Sequence, residues 1–477
     1  MSVRVRFAPS PTGYVHVGSL RTALYNFLFA RHHQGKIILR IEDTDRSRYV
    51  EGAVENLLEA MKWSGLEFDE GPQQGGGFGP YYQSQRLDIY KKEIAKLLDT
   101  GEVYPCFCSQ ERLDKIREVQ AEAGEPIKYD GHCRNISPQE AKERMKAESY
   151  VIRMKVPQSG ETKVKDIIRG EVTFQNNLLD DQVLIKSDGY PTYHFANVVD
   201  DHYMQISHVI RGEEWLPSTP KHVILYQAFG WELPEFAHLP LLLNADRSKL
   251  SKRQGDVAVE DYRNKGILPE ALVNFVALLG WHPEDDQEVF SYDELIDKFS
   301  LERVNKAGAV FDMDKLYWFN SSYIRNMSEE DYLKEGLRWL VKDGLDSGSA
   351  EKNRQILLAV RNSLSLFAEL KEKTRFFYAD NIESYSDEAL KWIKENSSKI
   401  VFSVMLREID NIDKLDLDAF KIVMKNVQNE TGVKGKELWM PVRAAITGTT
   451  EGPELPAVIS VLGKEKIRQF IEQALQR

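Results

Sequence analysis

Arg6-Phe7-Ala8-Pro9-Ser10-Pro11-Thr12-Gly13-Tyr14-Val15-His16-Val17-Gly18-Ser19 is the stretch whose reading decides the fold. Val3, Val5 and Phe7 alternate ahead of it and predict a strand. Its prolines and glycines mark a turn. Leu20, Ala23, Leu24, Phe27 and Leu28 then recur at helical spacing, and Ile37 to Ile41 reads as a second strand. Residues 3 to 41 therefore predict a β-α-β unit with a right-handed crossover. Its helix starts near His16 and Gly18, so the helix N-terminus can face an anion. His16 can donate a hydrogen bond to a phosphate, and Gly18 permits close approach to the backbone.

A His-x-Gly alone is a weak motif, because it also serves simply to cap a helix and make a turn. Here Pro9 to Gly13 precedes it, Ile41-Glu42-Asp43-Thr44-Asp45 follows the next strand, and Ser248-Lys249-Leu250-Ser251-Lys252-Arg253 lies far downstream. Together these resemble the two signatures of class I aminoacyl-tRNA synthetases, His-Ile-Gly-His and Lys-Met-Ser-Lys-Ser. The details are similar to the bacterial glutamyl-tRNA synthetases, nearly end to end. Both signatures are variants: Ser19 stands where the general pattern has its second His, and Arg253 where it has Ser. Both variants are usual in the glutamyl family.

The chain has 477 residues, enough for three or four domains, and its 42% hydrophobic content suits a sizeable core. No apolar run is long enough to span a bilayer, and no basic and apolar leader is visible, so the expectation is a cytoplasmic protein without a membrane partner. The net charge of −11 argues mildly against nucleic acid, but phosphate contacts need only a local basic face. Lys421, Lys425, Lys434, Lys436 and Arg443 offer one, unless they simply make a solvated helix surface. Three cysteines, all between 106 and 133, are too few and too odd in number for a disulfide scaffold.

The expected fold class is α/β: a Rossmann-like parallel sheet of class I synthetase type with an α+β insertion, followed by all-helical C-terminal domains. We divide the chain into a first catalytic half (1–102), an insertion that in the resembled family holds the tRNA acceptor end (103–188), and a second catalytic half (189–245). A stem-contact domain with the Lys249–Arg253 loop (246–325) and two helical anticodon-binding domains (326–378 and 379–477) follow. Helices are expected over Gly52–Trp63, around Leu87–Leu98, over Gln110–Glu122 and over Thr219–Phe229. Strands are expected over Tyr150–Val156, Gln182–Lys186, Ile206–Arg211 and Phe236–Leu243. His16 and Lys252, far apart in sequence, can then meet at strand ends of one parallel sheet, where open α/β folds bind ligands.

Activating an amino acid joins its carboxylate to the α-phosphate of ATP and expels pyrophosphate, so the site must orient two anions and stabilise phosphoryl charge. No nucleophilic side chain is needed. The resemblance implies catalytic roles for His16, Gly18, Lys249 and Lys252, and ATP contacts from these together with Glu214 and Ser251. Mg²⁺ would accompany the ATP, held largely by phosphate oxygens and water. Glu42 suits an ammonium group, and an Arg suits a γ-carboxylate through its planar fork. Resemblance carries L-glutamate binding onto Arg6, Ala8, Ser10, Glu42, Tyr193, Asn197 and Arg211. The competing reading pairs Arg6 and Arg211 with structural carboxylates such as Glu213.

Cys106-x-Cys108 with Tyr129 and Cys133 is similar to the zinc clip of some bacterial glutamyl enzymes, implying a structural Zn²⁺. His132 is the alternative fourth ligand by type, although its adjacency to Cys133 makes the geometry awkward.

The expected activity is glutamate–tRNA ligation by a monomer, through glutamyl-adenylate and then transfer to the terminal adenosine of tRNA(Glu). In the family, an Arg that reads the third anticodon base excludes tRNA(Gln). Aligned on Lys373-Thr374-Arg375, that position falls on Ser363, with Arg361 two residues earlier, so charging of tRNA(Gln) is expected as well. Three rivals stand beside this reading. One is a glutaminyl enzyme, which would carry C-terminal β-barrels and lack Arg211. Another is a truncated enzyme that modifies a tRNA base. The third is a non-catalytic tRNA-binding module.

Overall fold

The strand Arg4–Phe7 and the strand Lys36–Leu39 pair in parallel, joined by the helix Val17–His32. This is the β-α-β unit expected from the opening stretch. The alternation of Val3, Val5 and Phe7 suggests one wet face, yet all four strand residues are buried. Arg4 goes inside because Glu70 takes its guanidinium at 2.8 Å, and Arg6 because Asp201 takes its Nε at 3.1 Å. The computed structural model describes residues 2–250 and 257–477, with only the backbone of Arg46.

The chain divides into two compact units, residues 1–261 with 272–312 and residues 262–271 with 313–477. In the first, the strands His208–Gly212 and Glu235–Leu239 pair in parallel, and Glu161–Asp166 adds in parallel to Glu235–Leu239, with Gly170–Gln175 antiparallel outside it. Ser207 N–H donates to Arg4 O at 2.9 Å, bringing His208–Gly212 beside the first strand. Strand ends that carry Arg6 and Arg211 therefore lie side by side. The pairing of the first two strands runs on past their ends: Arg40 N–H donates to Phe7 O and Glu42 N–H to Pro9 O, both at 3.0 Å. That seats the Ala8–Ser10 loop against Glu42.

The helices Gln110–Glu122 and Thr219–Phe229 have the bounds expected of them. Ser109 caps the first through its hydroxyl, and Gly230 ends the second in a left-handed conformation, φ +68°. The expected strand Phe236–Leu243 is instead two strands, Glu235–Leu239 and Leu242–Leu243, broken at Pro240, which has no N–H for a ladder. A separate antiparallel sheet joins Val103–Cys106, Val151–Met154 and Val183–Ile185.

Described elements of the second unit from residue 313 on are helical, from Met313–Asn326 to Leu455–Leu475, which removes the glutaminyl rival with its β-barrels. One apolar core runs from Ile324 to Ala474. Leu357, Val360, Leu364 and Phe367, and later Val458, Ile467, Phe470 and Ile471, recur at helical spacing and are buried in it, with Leu462 partly buried against it. Among the described residues, no helix is long and apolar enough to cross a membrane.

Candidate active site and metal centre

His16 is the N-cap of the helix Val17–His32, and its Nδ1 accepts from Gly18 N–H at 3.0 Å. Capping a helix and presenting a donor are thus one arrangement. With Nδ1 accepting, the neutral ring carries its proton on Nε2. A Cβ at Gly18 would press on His16 Nδ1 at 3.3 Å, tighter than ordinary contact, so the ring would have to shift from its capping position. A cleft of about 330 Å³ opens at this helix end, lined by His16, Gly18, Thr22, Glu214, Leu242 and Lys249, among others. Four residues expected at ATP thus share one cavity. Lys249 is delivered by a tight turn in which Leu250 N–H returns to Leu242 O at 2.9 Å and Arg247 adopts φ +64°. A Cβ on Gly212 would run into the Glu214 carboxylate, so the glycine leaves room for that acid where it sits. Ser251, Lys252 and Arg253 lie outside the described residues.

Beside this cleft is a buried layer of charge. Arg6 Nε donates to Asp201, Arg40 donates to Asp201 at 2.7 Å and to Glu42 at 3.1 Å, and Arg86 Nε donates to Asp200 at 2.6 Å. Gln83 and Tyr90 complete Asp200 at 2.9 and 2.8 Å. The Asn197 amide is satisfied at both ends when its oxygen accepts from Arg40 at 3.0 Å and its nitrogen donates to Asp201 at 3.2 Å. Burial raises the Glu42 carboxyl above its ordinary value against the pull of Arg40 and Arg6. Burial works the same way on Asp201, but Arg6 and Arg40 outweigh it and hold that acid low.

Arg211 is different. It is buried, and its partners are Thr219 Oγ1 at 2.9 Å, Tyr193 Oη at 3.0 Å, His238 Nε2 at 3.1 Å and His222 Nδ1 at 3.4 Å. Among the described residues, no carboxylate pairs with it. Glu213, the structural partner considered for it, bonds instead to Arg169 at 2.5 Å and to Leu241 N–H at 2.8 Å. The structural pairing does hold for Arg6, through Asp201. His222 lies well below its ordinary pKa because it is desolvated and faces Arg211, and burial pushes its neighbour His194 down to about 4. Both are therefore neutral near pH 7.

The residues expected at glutamate fall into two groups. Glu42, Asn197 and Arg6 share the charged layer, and Tyr193 stands on Arg211. Ala8 is half-buried and Ser10 exposed on the loop after the first strand. Thr219, His222, His238 and Trp215, whose ring lies 4.2 Å from that of Tyr193, were not legible as site residues. Neutral groups around an arginine carry no motif. His222 falls within the expected helix 219–229 and His238 within the expected strand 236–243, so nothing in the sequence draws them together.

The cysteines converge at the end of the strand Val103–Cys106. Their three sulfurs lie within 4.8 Å of one another, with Cys108 and Cys133 at 3.6 Å. Tyr129 Oη is 3.4 Å from Cys106 Sγ and 3.5 Å from Cys108 Sγ. Tetrahedral zinc with ordinary bond lengths spaces sulfur from sulfur by about 3.8 Å and sulfur from oxygen by about 3.5 Å. The four donors therefore fit one Zn²⁺. His132 is not part of the sulfur cluster, whereas Tyr129 Oη stands beside two of its sulfurs. Arg112 reaches Cys108 Sγ at 3.4 Å and Arg153 covers the Tyr129 ring at 4.0 Å, a positive setting that suits thiolates.

Residues 2–318 match the catalytic domain of class I tRNA synthetases (E and Q), and residues 329–475 match an anticodon binding domain. Glutamate–tRNA ligases of Alkaliphilus metalliredigens and Clostridioides difficile are 51% and 50% identical, each alignment covering at least 97% of both chains. A crystal structure of a glutamate tRNA ligase from Elizabethkingia meningosepticum, in complex with its amino acid, matches with a TM-score of 0.88 at 39% identity over 100% of this chain and 99% of that one. A cleft at a capped helix end beside an uncompensated arginine is thus found in a chain that belongs, over its whole length, to the class I tRNA synthetases of the E and Q group and, among them, to the glutamate–tRNA ligases.

Proposed function

We propose that the chain activates L-glutamate with ATP and transfers it to the 3′-terminal adenosine of tRNA(Glu), with Arg211 taking the γ-carboxylate. The observation that carries this is the neutral surrounding of Arg211: a buried guanidinium oriented by hydroxyls and imidazoles keeps its charge for an incoming anion. Glu42 would meet the substrate ammonium, with Tyr193 and Asn197 adding neutral contacts. Arg6, Ala8 and Ser10 would line the opposite side. The α-carboxylate would then face the cleft at His16.

There, the substrate carboxylate attacks the α-phosphorus and pyrophosphate leaves. The Nε2–H of His16 and the helix N-terminus donate toward phosphate oxygens, Gly18 allows the approach, and Glu214 fits the nucleoside end. Lys249 and Lys252 would carry charge to the leaving phosphates, with Ser251 contacting ATP from the same loop. Mg²⁺ bound with ATP supplies further neutralisation of that charge. Residues 103–188 would hold the acceptor end, 246–325 the stem, and 326–378 with 379–477 the anticodon. Zinc, held by Cys106, Cys108, Cys133 and Tyr129, would brace the acceptor-end module without entering the reaction.

ATP–pyrophosphate exchange, with and without tRNA, tests the reading. Exchange that requires glutamate and is at least some hundredfold weaker with glutamine is expected, since a site built for one polar group strongly rejects its analogue. Absence of exchange under every condition would favour a tRNA-binding module.

A second reading concerns tRNA choice: the enzyme would also charge tRNA(Gln). Supporting it, Ser363 caps back onto Val360 O at 2.6 Å, while Arg361 is spent on the carbonyls of Ile324 and Arg325 at 3.1 Å and on Met327. Neither offers a free fork to a base edge. Charging of tRNA(Gln) transcript some hundredfold below tRNA(Glu), the order of a ~3 kcal/mol base discrimination, would overturn it.

A further inference from the structure

Three adjacent strands deliver Asp166, His238 and Arg211 in a line. Arg211 stands opposite His238 in the parallel register, and Asp166 ends the strand on the far side. Asp166 accepts four N–H groups: Ile168 at 3.0 Å and Arg169 at 2.8 Å on Oδ1, His238 N–H at 3.1 Å and His238 Nδ1 at 2.6 Å on Oδ2. As a carboxylate it can only accept, so the imidazole proton must sit on Nδ1. Nε2 is then the lone pair that faces Arg211 Nε at 3.1 Å and the Thr219 hydroxyl at 3.1 Å. The opposite tautomer would set N–H against N–H.

We infer that Asp166 and His238 together are the positioning device for Arg211, giving the guanidinium an acceptor that carries no charge. The inference rests on the proposed contact between Arg211 and the γ-carboxylate. A carboxylate placed directly on Arg211 would orient it equally well, but would compete with the substrate for its charge. Setting the carboxylate one imidazole away keeps the orientation and removes the competition. His222, with His194 behind it at 3.0 Å, adds a second uncharged contact on the other side of the guanidinium. Burial and the nearby Arg211 hold His238 below its ordinary pKa despite Asp166, consistent with a neutral ring.

The test uses full-length enzyme and tRNA-dependent pyrophosphate exchange. His238→Leu removes the acceptor and should raise the KM for glutamate about tenfold or more, leaving the KM for ATP unchanged. His238→Gln, whose amide oxygen can accept from Arg211, should recover most of that loss. Asp166→Asn must put its NH₂ against donors. The orientation with fewest clashes faces His238, driving the ring proton to Nε2, and should reproduce the rise in KM. A misfolded fraction lowers kcat without moving KM, so the split is diagnostic.

Arg211→Lys separates the two ideas. If it leaves the KM for glutamate unchanged, the proposed contact fails and the inference with it. If it raises that KM while His238→Leu or Asp166→Asn stays within about twofold of wild type, only the inference fails. Gln performing no better than Leu, or a KM for ATP that rises in step, also overturns it. Should His238→Leu not fold, Asp166→Asn and His238→Gln decide.

Discussion

Arg40 and Arg211 are both buried in the catalytic unit, and the protein treats them in opposite ways. Arg40, with Arg6 and Arg86, lies in a layer where each guanidinium has a carboxylate: Asp201 and Glu42 for Arg40, Asp201 for Arg6, Asp200 for Arg86. Arg211 is held by two hydroxyls and two imidazoles. Burying an ion pair spends its Coulomb energy on desolvation and returns a fixed geometry. Burying a cation among neutral dipoles leaves the Coulomb energy uncollected until an anion arrives. The first arrangement builds a floor, and the second waits for a ligand.

Breaking the floor should give the largest effect on stability. Asp200→Ala leaves Arg86 Nε, Gln83 and Tyr90 without their acceptor in a dry layer. Removing one partner of such a pair costs about 3–5 kcal/mol, read as a lowered melting temperature of the catalytic unit. Arg211→Ala should behave the other way. It removes a charge that no carboxylate balances, so melting should stay near wild type. The kcat/KM for glutamate should fall by about 2–4 kcal/mol, the loss of a charge-assisted contact. If Arg211→Ala melts as early as Asp200→Ala, the contrast between the two arginines is wrong.

The sulfur cluster sharpens the same contrast, since it too gathers donors around a point that a cation would occupy. Purified protein should carry about one equivalent of zinc. Cys106→Ser with Cys108→Ser should lose it and impair tRNA charging more than ATP binding. Protein made with ample zinc that analyses as metal-free would remove the site.

Much of the framework could be read in the sequence, and almost none of the charged floor or of the neutral cage around Arg211. The β-α-β unit and the helices Gln110–Glu122 and Thr219–Phe229 follow from local periodicity and turn chemistry; the expected meeting of His16 with Lys252 lies outside the described residues, though Lys249 does share the His16 cleft. The partners of Arg4 and Arg6, Glu70 and Asp201, lie 66 and 195 residues away, so alternation along the strand cannot show that both arginines are buried ion pairs. The role of His238 is hidden in the sequence for a related reason. A neutral buried histidine has the composition of an ordinary core residue, and Asp166, which sets its tautomer, comes from the inserted segment 72 residues earlier. Such roles depend on strand register, which periodicity does not encode.

The smallest expected effect is the pH dependence of the cage. His194 Nδ1 lies 3.0 Å from His222 Nε2, and burial first, then Lys221 and Arg211, push His194 from 6.5 down to about 4. A folded histidine that resists protonation binds fewer protons than its unfolded counterpart between those two values. Stability must therefore be fully present above about pH 6.5 and decline as the pH falls toward 4. His222, shifted the same way, adds to this slope. Glu42 opposes it, because its raised carboxyl takes up a proton in the folded state before the unfolded chain does. Asp166 and Asp201, both held low, contribute only further down, once the pH drops below their unfolded value of 3.8. His194→Gln keeps a hydrogen-bonding group for His222 and removes one titration. Its melting temperature should thus fall less steeply than wild type between pH 6.5 and 4, with the two curves converging in slope above that window. Parallel curves through the whole range would show that His194 is not held neutral by the fold.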